Sequence, residues 1–297
     1  MLAAMSEPSE SRRQRAARRA GEFPDPPPPL PRPVIDSHTH LDITVSEAAV
    51  PGGGDDPVAA LIDAAAAAGV DRLVQVGVDV ASSRWSAEMA TRHPALLATV
   101  ALHPNEAPRL ADLDEALREI EALAAQERVR GIGETGMDRF RTGEEGRAAQ
   151  EASFRAHIAI AKRHGKALVI HDREAHDDVL RILDDEGAPD RVVLHCFSGD
   201  AEFAAQCVRR GFVLSFAGTV TFASATALRE AARVTPVDQL LVETDAPYLT
   251  PTPHRGRPNA SYLIPLTMRS LAETTGTDLD ELCAAVSATG ERMFGPW

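Results

Sequence analysis

The sequence predicts an α/β fold: a (β/α)8 barrel over residues 34–297, preceded by a disordered Arg/Pro-rich tail over residues 1–33. Three observations carry that expectation. The chain has 297 residues, enough to bury one full core, and single-domain α/β barrels of this size are common. Short apolar runs alternate about eight times with segments of helical period, as in a strand–helix repeat. Histidines and carboxylates recur at the ends of those apolar runs, where a barrel places its reactive groups. An open doubly wound sheet is the alternative topology, and the strand-end residues favour the barrel.

The tail is read from the cluster Arg12, Arg13, Arg15, Arg18 and Arg19 and the prolines between Pro24 and Pro33. Such a segment buries too little apolar surface to offset the entropy of ordering, and proline favours an extended chain. A solvated extension is expected, with a weak anchor for anionic partners as the alternative. The first strand is Val34-Ile35-Asp36-Ser37-His38-Thr39-His40. Asp56-Pro57 reads as an N-cap with proline at the first helical position, and Gly69 closes that helix. A strand over 73–78, a helix over 83–93 stopped by Pro94, and a strand over 96–102 follow. Leu113, Leu117, Ile120 and Leu123 then repeat at helical spacing behind Asp112. The alternation continues with strand 129–134, helix 147–164, strand 167–171, helix 175–186 and strand 192–195. Asp200 caps a helix ending at Gly211, strands 212–216 and 240–243 flank a short helix, and two helices fill 261–293.

Composition narrows the function. No apolar run is long enough for a membrane span, and the first residues lack the apolar core of a signal peptide, so a cytoplasmic location is expected. Three widely spaced cysteines make no disulfide framework. The net charge of -13 argues against a surface that coats nucleic acid generally. It leaves room for a nucleic-acid substrate at one site, where bound divalent ions would reverse the local sign.

The chemistry lies at the strand ends. His38 and His40 share a face, about 7 Å apart along an ideal strand. They can close on one divalent ion if the strand end bends; a polar strand end meeting solvent is the plainer alternative. Asp36 and Asp42 are candidates to orient the two rings. Glu134, His171, His195 and Asp245 each follow an apolar run directly, as does His103 in Ala101-Leu102-His103-Pro104. This mixture of imidazoles and carboxylates suits two divalent cations, Zn²⁺, Mn²⁺ or Mg²⁺. A carboxylate such as Glu134 can bridge ions about 3.5–4 Å apart with its two oxygens. The lysines, Lys162 and Lys166, fall in and just after a helix, so a carboxylated lysine cannot take that place.

Ser37-His38-Thr39-His40-Leu41-Asp42, Gly133-Glu134-Thr135-Gly136-Met137-Asp138 and Ile170-His171-Asp172-Arg173 resemble, in order, motifs of the TatD family of metal-dependent hydrolases. So do Leu194-His195-Cys196-Phe197-Ser198-Gly199 and Glu243-Thr244-Asp245-Ala246-Pro247-Tyr248-Leu249. The resemblance implies a TIM barrel of the metal-dependent amidohydrolase type, two divalent metals and deoxyribonuclease activity. Carried over, His38, His40, Glu134 and Asp245 would hold one ion, and Glu134, His171 and His195 the other. The family often has Asn-Glu-Pro where this chain has Asn259-Ala260-Ser261, a departure that bears on substrate preference.

The expected enzyme is a metal-dependent hydrolase acting on phosphodiesters of DNA, for repair or degradation. Water held between the ions would attack, with Asp245 as proton acceptor and Glu134 as bridge. A strand-end site at the floor of a cup suits single strands or frayed ends better than duplex, and the resemblance points to the 3′ end. No obligate protein partner and no membrane are expected. His103 and Arg173 are candidates to contact phosphate or base, with an ion pair to Asp172 or Glu174 as the alternative for Arg173. Asp138 would orient a ligand or cap a turn. Cys196 alternates with His195 and is expected to face the helices as a small filler. His93, His157, His164, His176 and His254 fall on helices or loops and are expected at the surface or in the core. Two rivals remain: a small-molecule amidohydrolase or lactonase with the same metal core, and a barrel kept only as a binding module. Loss of a ligand position would favour the second, and none is missing.

Overall fold

The computed structural model describes residues 21–297. Eight parallel strands lie in chain order: β1 (Val34–Thr39), β2 (Val70–Val76), β3 (Leu96–Val100), β4 (Val129–Asp138), β5 (Ala167–Arg173), β6 (Val192–Leu194), β7 (Val213–Phe216) and β8 (Leu240–Val242). The last strand returns to the first. Thr39 bridges Ala246, the Asp245 N–H donates to the His38 carbonyl, and the His40 N–H donates to that of Ala246. The barrel expectation therefore holds over the open sheet. Runs such as Leu96–Val100 and Leu240–Val242 are buried throughout, because a parallel strand is covered on both faces.

The helices α1 (Leu41–Glu47), α2 (Pro57–Ala67), α3 (Val80–Arg92), α4 (Leu113–Ala124), α5 (Glu144–His164), α6 (His176–Glu186), α7 (Ala201–Arg209), α8 (Thr226–Val234), α9 (Ile264–Thr275) and α10 (Leu279–Phe294) surround it. Their starts are written in the sequence. The carboxylates of Asp56, Asp79, Asp112 and Asp200 each accept a backbone N–H three residues on, satisfying donors that the first turn leaves unpaired.

Two strands run further than the apolar pattern indicates. β4 and β5 continue past Glu134 and His171, pairing Gly136 with His171 and Asp138 with Arg173 after a register shift between Ile132 and Thr135. They approach very closely there. A Cβ on Gly136 would stand 2.1 Å from the His171 carbonyl oxygen, so the second glycine of the Gly-Glu-Thr-Gly motif is a steric requirement. The pair forms a ribbon rising from the barrel mouth.

The tail expectation needs correction for its second part; residues 1–20 lie outside the described residues. The Tyr262 hydroxyl donates to the Pro24 carbonyl, Arg257 to those of Glu22 and Phe23, and Arg269 to those of Pro28 and Pro29. Leu30 is buried, and its N–H donates to the Ala68 carbonyl. The extended proline segment exposes carbonyls that these side chains satisfy, a form of ordering that hydrophobic content does not reveal. Among the described residues, packing onto the barrel thus starts at residue 22 and not at Val34.

Candidate metal centre

All six strand-end residues meet at the C-terminal mouth of the barrel. His38 is the fifth residue of β1, and His40 lies one past its end. Glu134 sits at the register shift of β4, His171 is on β5, and His195 and Asp245 follow β6 and β8. Backbone bonds place the two outer members. Buried Asp36 accepts the N–H groups of His38 and Thr244 and the Thr244 hydroxyl. It therefore ties β1 to the turn after β8, and burial pushes its carboxyl up to about 7. Asp245 itself takes φ +53, in the left-handed region that Asp tolerates better than most residues and that is enriched at functional sites.

The candidate ligand atoms fall into two sets that share Glu134. His38 Nε2 and His40 Nε2 are 3.2 Å apart. Both face Glu134 Oε1, at 3.6 and 3.5 Å, and Asp245 Oδ1, at 3.8 and 3.4 Å. On the other side, Glu134 Oε2 lies 3.1 Å from His171 Nδ1 and 2.8 Å from His195 Nε2, which are themselves 3.4 Å apart. A tetrahedral ion with bonds of about 2.0–2.2 Å spaces its ligands roughly 3.4 Å apart. Each set has the donor types and the spacing that would hold a divalent ion, with one Glu134 oxygen facing each.

Outer partners fix which ring nitrogen faces inward, as they do for metal-binding histidines. His40 Nδ1 turns to the Val76 carbonyl at 3.3 Å, His195 Nδ1 to Glu243 Oε1 at 3.3 Å, and His171 Nε2 to Asp138 Oδ2 at 3.3 Å. His38 Nδ1 is buried without a partner, as is Glu243 Oε2. Asp36 and Asp42 are not the ring orienters expected of them. Asp36 holds backbone, and Asp42 accepts from Gln75.

The charge balance is that of a centre built for cations. Burial alone would raise the carboxylates, yet the neighbouring histidines hold Glu134 well below its ordinary range and Asp245 below its own. Burial likewise disfavours charge on His40 and His195. Asp245, Glu134 and Asp42 nevertheless raise His40 to about 8, and Glu134 and Glu243 hold His195 well above the usual imidazole range.

Other candidates divide. His103 Nε2 faces Glu134 Oε2 at 3.5 Å, while its Nδ1 accepts the Asn105 N–H at 3.0 Å. Burial keeps it neutral, down to about 4, so its Nε2–H points into the centre as a donor. Asp138, expected to orient a ligand or cap a turn, is fully buried. It orients His171, accepts from Asn105, and caps the turn at Phe140 and Arg141. Arg173 pairs with neither Asp172 nor Glu174; its guanidinium lies over the Phe140 ring, 4.2 Å from the centroid. Cys196 departs from expectation. β6 ends at Leu194, Cys196 takes φ +42, and it is partly exposed. Burial, with Asp245 and Glu243 beside it, holds its thiol well above the ordinary range. His157 is the core residue expected: it receives the Leu102 N–H on Nε2 and reaches the Ser153 carbonyl with Nδ1. Sequence reasoning missed Glu243 as an orienter; its signal was a carboxylate directly after the buried run Leu240–Val242.

A barrel carrying these ligand sets at its mouth is of the metal-dependent hydrolase class. The family model described as TatD related DNase matches residues 35–295, and the chain belongs to that family. It is 46% identical over 266 residues to an uncharacterized metal-dependent hydrolase TatD of Mycobacterium tuberculosis, covering 88% of this chain and 98% of the relative. A 3′-5′ ssDNA/RNA exonuclease TatD of Citrobacter rodentium is 35% identical over 238 residues, covering 77% and 88%. Among solved structures, the TatD homolog YJJV of Escherichia coli superposes with a TM-score of 0.80 at 26% identity, covering 89% and 98%. No helix among the described residues is long and apolar enough to cross a membrane.

Proposed function

We propose that this hydrolase removes nucleotides from the 3′ end of single-stranded nucleic acid, using two divalent ions held by His38, His40, Glu134 and Asp245 and by Glu134, His171 and His195. The observation that carries the reading is Glu134, whose two oxygens each face a separate set of ligand atoms. Relatives named as 3′-5′ ssDNA/RNA exonucleases widen the expected substrate from DNA to RNA as well. When bound, two such ions supply Lewis acidity that activates water and offsets phosphate charge.

The chain's own residues do the rest. Glu134 holds the two ligand sets at one separation. Asp245 retains partial access to solvent, with 15% of its side chain exposed, and its depressed pKa keeps it ionised and able to take the proton of the attacking water. Neutral His103 presents an N–H toward the same space and donates to a phosphate oxygen or to the leaving group. Glu243 and Asp138 keep His195 and His171 in the tautomers that the centre requires.

The test follows 5′-labelled oligonucleotides, single-stranded DNA, RNA and blunt duplex, with Mg²⁺, Mn²⁺ or Zn²⁺ and beside a panel of cyclic amides and lactones. A ladder shortening from the 3′ end, faster on single strands, is expected. Equal cutting within an intact duplex or a closed circle, or turnover of the cyclic substrates alone, would overturn it.

A further inference from the structure

Three large apolar side chains are exposed among the described residues: Phe140 at 58%, Tyr248 at 47% and Val234 at 45%. Two of the three stand at the mouth of the barrel. Phe140 follows β4 at the tip of the ribbon with β5, two residues past the residue that orients His171. Tyr248 follows β8, with its ring edge-on to His40 and 6.5 Å between centroids. One aromatic face thus adjoins each of the two ligand sets.

Cations accompany them. Arg173 lies over the Phe140 ring, and Arg255, in the stretch after β8, lies over the Phe222 ring with 4.0 Å to its centroid. Among the described residues neither Arg pairs with a carboxylate, and Arg141, next to Phe140, does not either. Arg139, one residue before Phe140, pairs instead with Asp178. Burial and the carboxylates of Glu47, Asp245 and Asp42 raise the Tyr248 hydroxyl, while Arg141 of the β4 loop acts on it in the opposite direction.

Exposed rings beside unpaired guanidinium groups match what an unpaired nucleic-acid strand presents: a base with two π-faces and a phosphate at each step. We propose that Phe140, backed by Arg173, and Tyr248 are base-stacking platforms that seat the nucleotides on either side of the scissile phosphate. This rests on the nuclease reading above and specifies how the substrate is held. A stacked base inside a duplex offers no free face, so the platforms select frayed or single-stranded ends without reading sequence.

The experiment compares steady-state kinetics of the metal-loaded full chain on a mixed-sequence oligonucleotide, on the same strand abasic at its last two 3′ positions, and on methyl 4-nitrophenyl phosphate. F140A and Y248A should each raise KM for the normal strand about tenfold, within the range of alanine substitutions at base-stacking aromatics, with kcat changed much less. F140W and Y248F should restore it, and V234S, on the outer helix α8, should match the parent chain. The abasic strand should cost the parent chain a similar rise, to which F140A adds little. Unchanged KM in F140A and Y248A, or an equal loss on normal and abasic strands, overturns the platforms and leaves the nuclease reading standing. A parent chain that hydrolyses the small diester but cuts no oligonucleotide overturns both.

Discussion

Asp245 carries the most specific demand at the scale of single residues. It must be ionised to take a proton and must also face His38 and His40. Asp245→Asn preserves the shape and removes the basicity, so kcat should fall by about 10²-fold or more with much less change in KM. Stopped-flow or steady-state kinetics check this, and turnover within a factor of a few would remove Asp245 from the role of base. Glu243 and Asp138 act one step further out. Glu243→Gln leaves His195 Nδ1 without its charged acceptor, and affinity for the ion of that set should drop about 10–100-fold, measured by competition with a chelating dye. The same substitution should leave binding at the His38–His40 set much less affected. At this scale the sequence was legible wherever a reactive residue followed an apolar run, as for His171 and His195. It was not legible where a turn reversed the pleat. Cys196 was expected to face the helices because alternation predicts it, but alternation ends with the strand at Leu194, and its φ of +42 ends the rule.

Elements explain why those residues hold still. His157 on α5 joins β3 to the helix by receiving the Leu102 N–H on one ring nitrogen and donating to the Ser153 carbonyl with the other. Accepting the Leu102 N–H requires the neutral ring, and burial lowers its pKa from 6.5 to about 4. The unfolded chain therefore binds this proton first as pH falls. Stability from this group is fully present above about 6.5, declines between 6.5 and 4, and is flat below that, a total on the order of 3 kcal/mol. Thermal melting of H157Q against the parent across that window should show a shallower loss in the variant; identical slopes would remove His157 as the acid-sensitive strut. The strand and helix order was readable from periodicity and from the capping aspartates, because local spacing determines both. The length of β4 and β5 was not. Their extension depends on two glycines that allow backbones to meet, as at Gly136 against His171, and on pairing between distant segments. Phe140 and Arg173 owe their position at the mouth to that ribbon.

Over the whole molecule, the barrel and the amino-terminal strap form one packed body. Composition assigned residues 1–33 to solvent because prolines and arginines bury little surface. The structure instead wraps residues 22–33 onto α9 and the loop before it through hydrogen bonds to exposed carbonyls and through buried Leu30. Truncation separates the two views. Removing residues 1–20 keeps every one of these contacts, whereas removing 1–33 loses several hydrogen bonds worth about 1 kcal/mol each and the burial of a leucine. The longer truncation should therefore melt several degrees below the shorter one; equal melting temperatures would return the whole tail to solvent.

The same scale holds the central claim, that one carboxylate at the barrel mouth joins two ligand sets into one centre. Calorimetric titration of the metal-free chain with Mn²⁺ measures this most directly, set beside Glu134→Ala and His171→Ala. The account predicts two ions for the parent chain, one for His171→Ala, and weakened binding at both sites for Glu134→Ala, since Oε1 and Oε2 serve one set each. A parent chain that binds a single ion at full activity, or a Glu134→Ala variant that still binds two ions with unchanged affinity, would contradict it.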